Sequence, residues 1–520
     1  MADVVLINPK FEMSFWGLNE ALPFLLKKAN LPTTALPLIA ALTPDTHQVT
    51  IIDENVEPID FERCARADIV GITGMVVQRV RMRQILVELK KRGAYVVVGG
   101  PWITVNETYF GDLVDVTFIG EAEETWPRFL TDWEDGTVAA RYEQSEKTDM
   151  SRVPAPRLDL LKIQHYAFAS LQFTRGCPFQ CEFCDIIVVF GRRPRLKTPK
   201  QIIAELDDLL KYKIQLAFIV DDNLIGNKKA MKELLKHVIA WQEANGYPLV
   251  FTTEASIDLA DDAELMELMS RANIGSVFVG IESTSEEALR EAKKLQNIRS
   301  GGTMVEKVRR IQAAGMEVFG GLMVGFDSDN ENVFASQRQF ADSARLSIAM
   351  VGMLSAIPKT PLYDRLAAEG RLDYSDVSEY GTNVIPLQMS REALSKGYVG
   401  LMAELYDPNA FFKRLDDLFL TDRAELDRGW QQYAASHPWR RRRRHFRFWL
   451  QAFGLMGALL LGVRDRELRA VYRQRFLRFL QARPSAVMLR AYALRCAIHF
   501  HMYRLVRVLQ TGNGALVNTY

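Results

Sequence analysis

The sequence has few cysteines and no low-complexity tract. Only 5 of its 520 residues are cysteine, which excludes a fold that depends on many disulfides. The amino-terminal "MADVVLINPK" has the pattern of a buried strand, because its apolar run is short and no small-residue cleavage site follows. We therefore expect a cytoplasmic protein whose cysteines serve a metal or redox site.

The sequence also lacks an apolar run that could cross a bilayer. Residues Phe448–Val463 are apolar apart from Gln451, but a transmembrane helix needs about 20 such residues. Acidic residues are scarce near the end of the chain: residues 421–520 hold 19 Lys+Arg and 5 Asp+Glu, a charge of +14 that leaves −13 for the first 420. A basic tail on an acidic body predicts an anionic partner, either a phospholipid surface or nucleic acid.

Four segments follow from the patterning: residues 1–140, a polar and proline-bearing linker at 141–160, residues 161–388, and a helical basic segment at 389–520. In the first segment, short β-branched runs alternate with helical patterns, which predicts a doubly wound parallel sheet. Ligands bind beyond the carboxyl ends of such strands. Those ends carry Thr73, Gly74, Met75, Gly99, Gly100, Gly120 and Glu121. Either these residues approach a ligand closely or they only make tight turns.

The third segment contains about six strand–helix units in series, which predicts a parallel barrel short of the usual eight. Thr198 and Pro199 have the pattern of the N-cap and first position of one of its helices. The rim at the strand ends carries the chemistry of such barrels. Polar residues at these ends are Arg175, Asp221, Asp222, Asn223, Glu254, Glu282, Ser283 and Asp327. Acidic residues there can also cap neighbouring helices.

The last segment contains "HPWRRRRRHFRFWLQAFGLMGALLLGVRDR", five arginines beside aromatic residues and an apolar stretch. This composition favours an interfacial anchor on anionic lipid. The alternative is a basic helix that packs on the barrel and buries the apolar stretch. Nucleic acid is not expected as a partner, because long apolar stretches separate the arginines.

The stretch "TRGCPFQCEFCD" holds three cysteines, Cys177, Cys181 and Cys184. Structural zinc takes four protein ligands, and a fourth candidate is missing nearby. Three thiolates on a four-iron cluster leave one iron open to a substrate or cofactor. A structural zinc or a set of inert thiols is the alternative.

This stretch resembles the cysteine motif of the radical S-adenosylmethionine (SAM) superfamily, with Phe183 just before the last cysteine. The resemblance implies that the three cysteines hold a 4Fe-4S cluster whose open iron chelates SAM, which is cleaved to a 5′-deoxyadenosyl radical. It also implies that Phe183 lies against the adenine. By the same resemblance, Asp221 and Asp222 lie where the methionine amino group is held, while Glu254 and Glu282, next to Ser283, are candidates for the ribose and methionine.

The first segment, through "GITGM", "YVVVGGP" and "FIGEAEETW", resembles the cobalamin-binding domain of one large radical SAM class. In that class the glycine loops take up the nucleotide tail of cobalamin. The sequence departs from many cobalamin folds, because no Asp-x-His-x-x-Gly loop is present to ligate the cobalt. We expect residues of the Met75–Gln78 loop to face the cobalt instead. "RQRFLRFLQARPSAVMLRAYALRCAIHFHMYR" and "DIIVVFGRRPRLKTP" resemble the subgroup that includes hopanoid C-2 methylases.

These resemblances imply a cobalamin-dependent radical SAM enzyme that methylates an unactivated carbon of a lipid, such as a hopanoid. The alternative enzyme would use the same cofactors for a cyclisation, rearrangement or oxidation. The alternative without enzymatic activity is an iron–sulfur or zinc binding protein. No side chain is assigned as catalytic. The expected partners are the small-molecule or lipid substrate, an unidentified electron donor and, peripherally, the anionic inner membrane.

Overall fold

The computed structural model describes residues 1–299, 301–422 and 426–511. Residues 423–425 and 512–520 of the predicted helical segment lie outside this range. The first sheet has six parallel strands in the order β2-β1-β3-β4-β5-β6. Its strands are β1 (Asp3–Asn8), β2 (Gln48–Asp53), β3 (Ile69–Thr73), β4 (Val96–Gly99), β5 (Val116–Ile119) and β6 (Arg141–Glu143). Its helices are α1 (Ala35–Leu42), α2 (Phe61–Ala65), α3 (Arg79–Lys91), α4 (Pro101–Val105) and α5 (Thr125–Asp135).

Alternating residues of β1 belong to hydrophobic cores on opposite faces of this sheet. Val4 and Leu6 join one buried cluster, and Val5 and Ile7 join the other. Successive strand residues point to opposite faces, so both faces are covered. The predicted doubly wound sheet is confirmed.

Strand β6 falls inside the stretch that the sequence predicts to be a linker. Its Tyr142 is buried and stacks on Phe118 of β5, with ring centroids 5.4 Å apart. Arg141–Glu143 pairs in parallel with β5. One buried aromatic side chain thus adds this polar, three-residue segment to the sheet edge.

The second sheet is the partial barrel, with six parallel strands in the order β14-β13-β12-β11-β10-β7. This confirms the predicted six-unit barrel. The intervening β8 and β9 form a short antiparallel pair instead. These strands are β7 (Ala169–Leu171), β8 (Thr174–Arg175), β9 (Arg195–Leu196), β10 (Leu216–Ile219), β11 (Val250–Glu254), β12 (Ile274–Glu282), β13 (Glu317–Val324) and β14 (Ile348–Met353).

The helices of this segment lie mostly between barrel strands along the chain. They are α6 (Ile186–Val189), α7 (Pro199–Lys211), α8 (Lys228–Asn245), α9 (Ala263–Arg271), α10 (Glu286–Glu291), α11 (Met304–Ala313), α12 (Asn332–Ser343) and α13 (Pro361–Ala368). The hydroxyl of Thr198 accepts the Gln201 N–H at 3.3 Å, which confirms the predicted N-cap of α7.

The C-terminal segment is helical over its described residues. Its helices are α14 (Arg391–Leu405), α15 (Pro408–Asp416), α16 (Arg428–Ala435), α17 (Pro438–Gly462), α18 (Arg466–Gln481) and α19 (Ala486–Thr511). Arg495 of α19 forms a buried ion pair, 2.5 Å long, with Glu317 at the amino end of β13. This contact places the segment at the amino ends of the barrel strands. Across the described ranges, no helix has the length and apolarity required to cross a membrane.

Candidate active site

The cysteine loop leaves the barrel between β8 and β9. Gly176, immediately before Cys177, has φ +90°. A Cβ at this position would lie 2.8 Å from the Arg193 carbonyl oxygen and 3.0 Å from that of Gly191. The backbone N–H of Cys177 donates to the Gly191 carbonyl oxygen at 3.3 Å. The entry to the loop therefore requires glycine, because any side chain would clash with the returning chain.

Asp221 and Asp222, at the carboxyl end of β10, hold the backbone that enters this loop. Asp221 accepts the N–H of Phe173 at 2.7 Å and of Thr174 at 2.9 Å, while Asp222 accepts the N–H of Gly176 at 2.7 Å. Burial raises the pKa of Asp221 to about 7 and that of Asp222 to about 6. Their contacts position the cysteine loop. Their contact with SAM stays a prediction.

Two amide side chains donate to the cysteine sulfurs. Gln296 Nε2 lies 3.5 Å from Cys181 Sγ, and Asn223 Nδ2 lies 3.9 Å from Cys177 Sγ. Hydrogen bonds to thiolate sulfur tune the potential of an iron–sulfur cluster. Sequence reasoning did not select Gln296, since it lies in a loop without periodicity. Asn223 is among the polar residues predicted at the ends of the barrel strands.

Burial raises the pKa of Cys177, and it raises the pKa of Cys184 well above the usual value. These thiols are therefore neutral until a metal displaces their protons. Within the described ranges, no three His, Cys, Asp or Glu side chains converge on a single metal ion. A 4Fe-4S cluster imposes a different geometry, because each thiolate binds its own iron atom.

Lys294 and Glu282 form a buried ion pair beside the cysteine loop, with Nζ and Oε1 2.6 Å apart. Glu282 ends β12 with φ +63°, a conformation that is rare for a residue with a side chain. Burial lowers the pKa of Lys294, but the negative charges of Glu282 and Cys181 raise it by more. The net pKa therefore lies above the ordinary value. Its ammonium also lies 5.9 Å from the Phe183 ring. The lysine is a cation next to the thiols, and sequence reasoning missed it.

Glu254 ends β11 and has no hydrogen-bond or ion-pair partner for its carboxylate among the described residues. Burial, followed by repulsion from Asp222, raises its pKa to about 8. Its register partner in β12 is Phe278, so the two side chains share a face of the sheet. The side chain is partly buried, and a carboxylate that loses water contacts without gaining a partner is costly. The position suits a cationic ligand such as the amino group of SAM.

The inside of the barrel below Glu254 is aromatic. Trp16 comes from the loop after β1, and its ring lies 5.3 Å from Phe278 and 6.1 Å from Phe218 of β10. Phe218 of β10 pairs with Thr252 of β11. Phe278 lies on β12, the neighbour of β11 on its other side. Because Trp16 reaches both rings across β11, it covers the concave side of the sheet. This interior suits an apolar substrate.

Glu121 joins the first sheet to the cysteine loop. Its buried carboxylate lies 2.8 Å from Arg175 Nη1 and 2.9 Å from Arg195 Nη1, and it accepts the N–H of Thr148 at 3.0 Å. The side chain is committed to these three partners. Only its backbone is left for the predicted contact with cobalamin.

The loops after β3 and β4 meet at the carboxyl edge of the first sheet. Gly100 has φ +100°, and a Cβ there would collide with Thr73 Oγ1 and lie 3.3 Å from the Gly74 nitrogen. Glycine at position 100 is therefore required by the packing of this tight corner against Thr73 and Gly74, and contact of these residues with cobalamin stays a prediction. Next to it, Met75 is 51% exposed, whereas Gln78 is buried and donates to the Pro9 carbonyl oxygen at 2.6 Å. Of the loop predicted to face cobalt, Met75 is free to do so.

The remaining predicted positions lie at strand ends of both sheets. Gly99 ends β4 and Gly120 follows β5 with φ +82°. Ser283 is fully buried, and its Oγ accepts the N–H of Ser285 at 3.1 Å, next to the start of α10. Its hydroxyl thus takes part in a local turn. The cofactor contacts of all three residues stay predictions.

Similarity to known proteins covers both halves of the chain. The radical SAM superfamily matches residues 171–336, and a domain of unknown function (DUF4070) matches residues 360–513. An uncharacterized methyltransferase from Synechocystis sp. is 38% identical over 472 residues, covering 87% of each chain. Hopanoid C-2 methylase from Rhodopseudomonas palustris is 34% identical over 420 residues, covering 79% of this chain and 78% of that protein.

Solved structures share the fold at low sequence identity. The radical SAM methyltransferase TsrM from Kitasatospora setae, with cobalamin and a 4Fe-4S cluster bound, superposes with a TM-score of 0.57 at 17% identity, covering 71% of this chain and 75% of that one. The cobalamin-dependent SAM radical enzyme OxsB, with aqua-cobalamin bound, gives a TM-score of 0.59 at 15% identity, covering 98% of this chain and 81% of that one.

Proposed function

The chain belongs to the radical SAM methyltransferase family that includes hopanoid C-2 methylase, and from this premise we propose that it methylates an unactivated carbon of an apolar, lipid-borne substrate. The observation that carries the proposal is the position of the cysteine loop over a barrel whose concave side is lined by Trp16, Phe218 and Phe278. Phe218 and Phe278 are buried against Trp16, which is itself partly exposed. A hopanoid-like lipid offers the apolar rings and chains that would cover the exposed part of Trp16.

The site has the groups that the three cofactors need. Cys177, Cys181 and Cys184 would hold the 4Fe-4S cluster, and the unpaired carboxylate of Glu254 would hold the cationic end of SAM. The corner formed by Thr73, Gly74 and Gly100 would take the cobalamin tail, with Met75 toward the cobalt. Together the cofactors supply a radical that removes a hydrogen atom from carbon and a methyl group that replaces it.

The chain's own residues orient these groups and exclude water. Asp221 and Asp222 hold the entry of the cysteine loop through backbone N–H groups. The ion pairs of Glu121 with Arg175 and Arg195 hold that loop against the first sheet. A shift of about 1 Å in such an arrangement can cost on the order of 100-fold in rate. We also assign to this function an unidentified electron donor and peripheral contact with an anionic membrane.

The test is an anaerobic assay of the chain reconstituted with iron, sulfide and cobalamin. It receives SAM with a labelled methyl group, a reductant and a bacterial lipid extract. The expected result is 5′-deoxyadenosine together with a lipid heavier by one labelled methyl group. A matched reaction without lipid separates SAM cleavage from methyl transfer.

Two outcomes contradict the proposal. If 5′-deoxyadenosine forms and the lipid changes mass without taking up label, the reaction is a cyclisation, rearrangement or oxidation. If SAM stays intact with a fully loaded cluster, the chain is an iron–sulfur binding protein without radical chemistry.

A further inference from the structure

Helix α17 exposes a mixed apolar and basic surface that the barrel chemistry does not use. Residues at spacings of 7, 4, 3 and 8 fall on one side of an α-helix, because each spacing is close to a multiple of 3.6. Trp439, Phe446, Leu450, Phe453 and Leu461 follow these spacings and are exposed. Trp439 is 75% exposed and Phe446 is 67% exposed. We call this side the outer face of α17.

The opposite side of the helix is buried in the protein. Phe448, Ala452, Leu455, Met456 and Leu459 face α19 and the core. Packing therefore explains part of the apolar run, as expected from the alternative in which the helix packs on the barrel. Of the outer residues, Phe453 also contacts Phe476 of α18, with ring centroids 5.6 Å apart, but all five remain exposed. Exposed aromatic residues in such a row are typical of an interaction surface.

The five consecutive arginines divide between the two roles. Arg444 is buried, donates to the Tyr247 carbonyl oxygen at 2.7 Å and lies 4.1 Å from the Trp430 ring. Arg440 donates to the Tyr433 hydroxyl at 2.5 Å. These two fix the start of α17 to the body. Arg441, Arg442 and Arg443 are exposed and have no ion-pair partner within the described ranges.

The charged side chains along α17 are all basic. Residues 438–464 contain no Asp or Glu, so the exposed arginines are not neutralised locally along the helix. Close by, Phe24 packs on Phe500 at 5.5 Å, and Leu26, two residues later, is 89% exposed. A phospholipid surface with anionic headgroups matches both properties, because aromatic residues enter the interface and arginines bind the headgroups. Nucleic acid would leave the apolar groups in water.

We propose that the outer face of α17, with Arg441–Arg443, docks the protein on an anionic phospholipid membrane. The helix lies in the plane of the interface and does not cross the bilayer. This inference deepens the peripheral membrane contact assigned under the proposed function, because it names the surface that makes the contact, and it does not depend on the methylation.

The experiment is flotation of the full chain, carrying its cluster, with vesicles of phosphatidylcholine alone or with roughly one third phosphatidylglycerol. Binding is expected only to the anionic vesicles and is expected to weaken as salt is raised. Three variants separate the contributions. They are Arg441→Gln with Arg442→Gln and Arg443→Gln; Trp439→Ser with Phe446→Ser and Leu450→Ser; and, as matched control, Tyr374→Ser with Val377→Ser and Leu387→Ser.

The arginine variant is expected to bind anionic vesicles about 100-fold more weakly, and the apolar variant at least about tenfold more weakly. The control removes three exposed apolar residues elsewhere and is expected to bind as the unmodified chain does. All three are expected to unfold at the same temperature and to form 5′-deoxyadenosine at the same rate without vesicles. Equal binding to both vesicle types, unchanged binding of both α17 variants, or tighter binding to an oligonucleotide than to anionic vesicles overturns the proposal. So does a dimer that the apolar variant abolishes.

Discussion

Two glutamates at opposite ends of the barrel, Glu317 buried and Glu254 partly buried, have different surroundings. Glu317, at the amino end of β13, is paired with Arg495 at 2.5 Å and accepts the Ser347 hydroxyl. Glu254, at the carboxyl end of β11, has no side-chain partner among the described residues, and burial raises its pKa to about 8. At the amino end of the barrel, which we call the closed end, Arg495 supplies the positive charge that pairs with Glu317. At the carboxyl end, Glu254 has no such cation paired with it in the described part of the chain.

The difference separates structure from function. A buried ion pair that loses one partner costs about 3–5 kcal/mol, so Glu317 and Arg495 have to stay together for stability. A carboxylate that is partly removed from water and has no partner lowers stability. Such a group persists where a ligand supplies the missing charge, and perturbed carboxylates gather at functional sites. The proposed reaction is therefore assigned to the carboxyl end, with the cysteines, which we call the reacting end.

The largest expected effect comes from a cysteine at the reacting end. Cys181→Ala is expected to abolish the visible absorption of the reconstituted cluster and to lower 5′-deoxyadenosine formation at least about 100-fold, because one iron loses its ligand. The matched control is Cys496→Ala, in α19 at the closed end, which is buried among core residues. If Cys496→Ala lost the cluster to the same degree, the two ends would not differ in this way.

At the closed end, Arg495→Leu is expected to lower the free energy of unfolding of the cofactor-free chain by about 3–5 kcal/mol, since Glu317 is left buried and unpaired. Urea denaturation measures the change. Arg309→Gln breaks a pair with Asp422 in which each side chain is 32% exposed, and it is expected to cost less than about 1 kcal/mol. Equal losses in both variants would show that burial of the Arg495 pair is unimportant.

Glu254→Gln is expected to lower 5′-deoxyadenosine formation on the order of 100-fold, mostly through weaker SAM binding, while stability is kept or raised. The folded pKa of Glu254 lies above its ordinary value of 4.5, at about 8. Wild-type stability therefore falls as pH rises between these values, because the folded state binds the proton more tightly. The variant should gain over wild type as pH rises from about 5 to about 8. If Glu254→Gln were less stable than wild type and bound SAM with normal affinity, Glu254 would serve stability and not ligand binding.

The smallest effect concerns the sulfur hydrogen bonds. Gln296→Leu is expected to shift the cluster reduction potential to more negative values, on the order of tens of millivolts, because a donor to Cys181 is lost. Potentiometric titration followed by electron paramagnetic resonance measures the shift. Asn223→Ala should shift it less, since its amide is 3.9 Å from the sulfur and that of Gln296 is 3.5 Å. An unchanged potential in Gln296→Leu would exclude that contact.

Local patterns predicted much of the fold. The N-cap at Thr198, the alternation of strands and helices, and the spacing of the three cysteines each depend on a few neighbouring residues, and the structure confirms the two sheets and the helical C-terminal segment. Strand β6 was missed because its place depends on Tyr142 packing against Phe118, far along the chain. Lys294 and Gln296 were missed for the same reason, since their loop reaches the cysteines only after the barrel forms.

The chemical groups of this protein can be read from short stretches of its sequence: three thiols in one loop, acidic residues at strand ends, and a basic tail. The role of each group depends on the fold. It assigned Asp221 to backbone N–H groups, Glu121 to two arginines, and the five arginines to anchoring or exposure. The reason is physical, since the role of a charged side chain depends on its burial and its partner, and both come from residues distant in sequence.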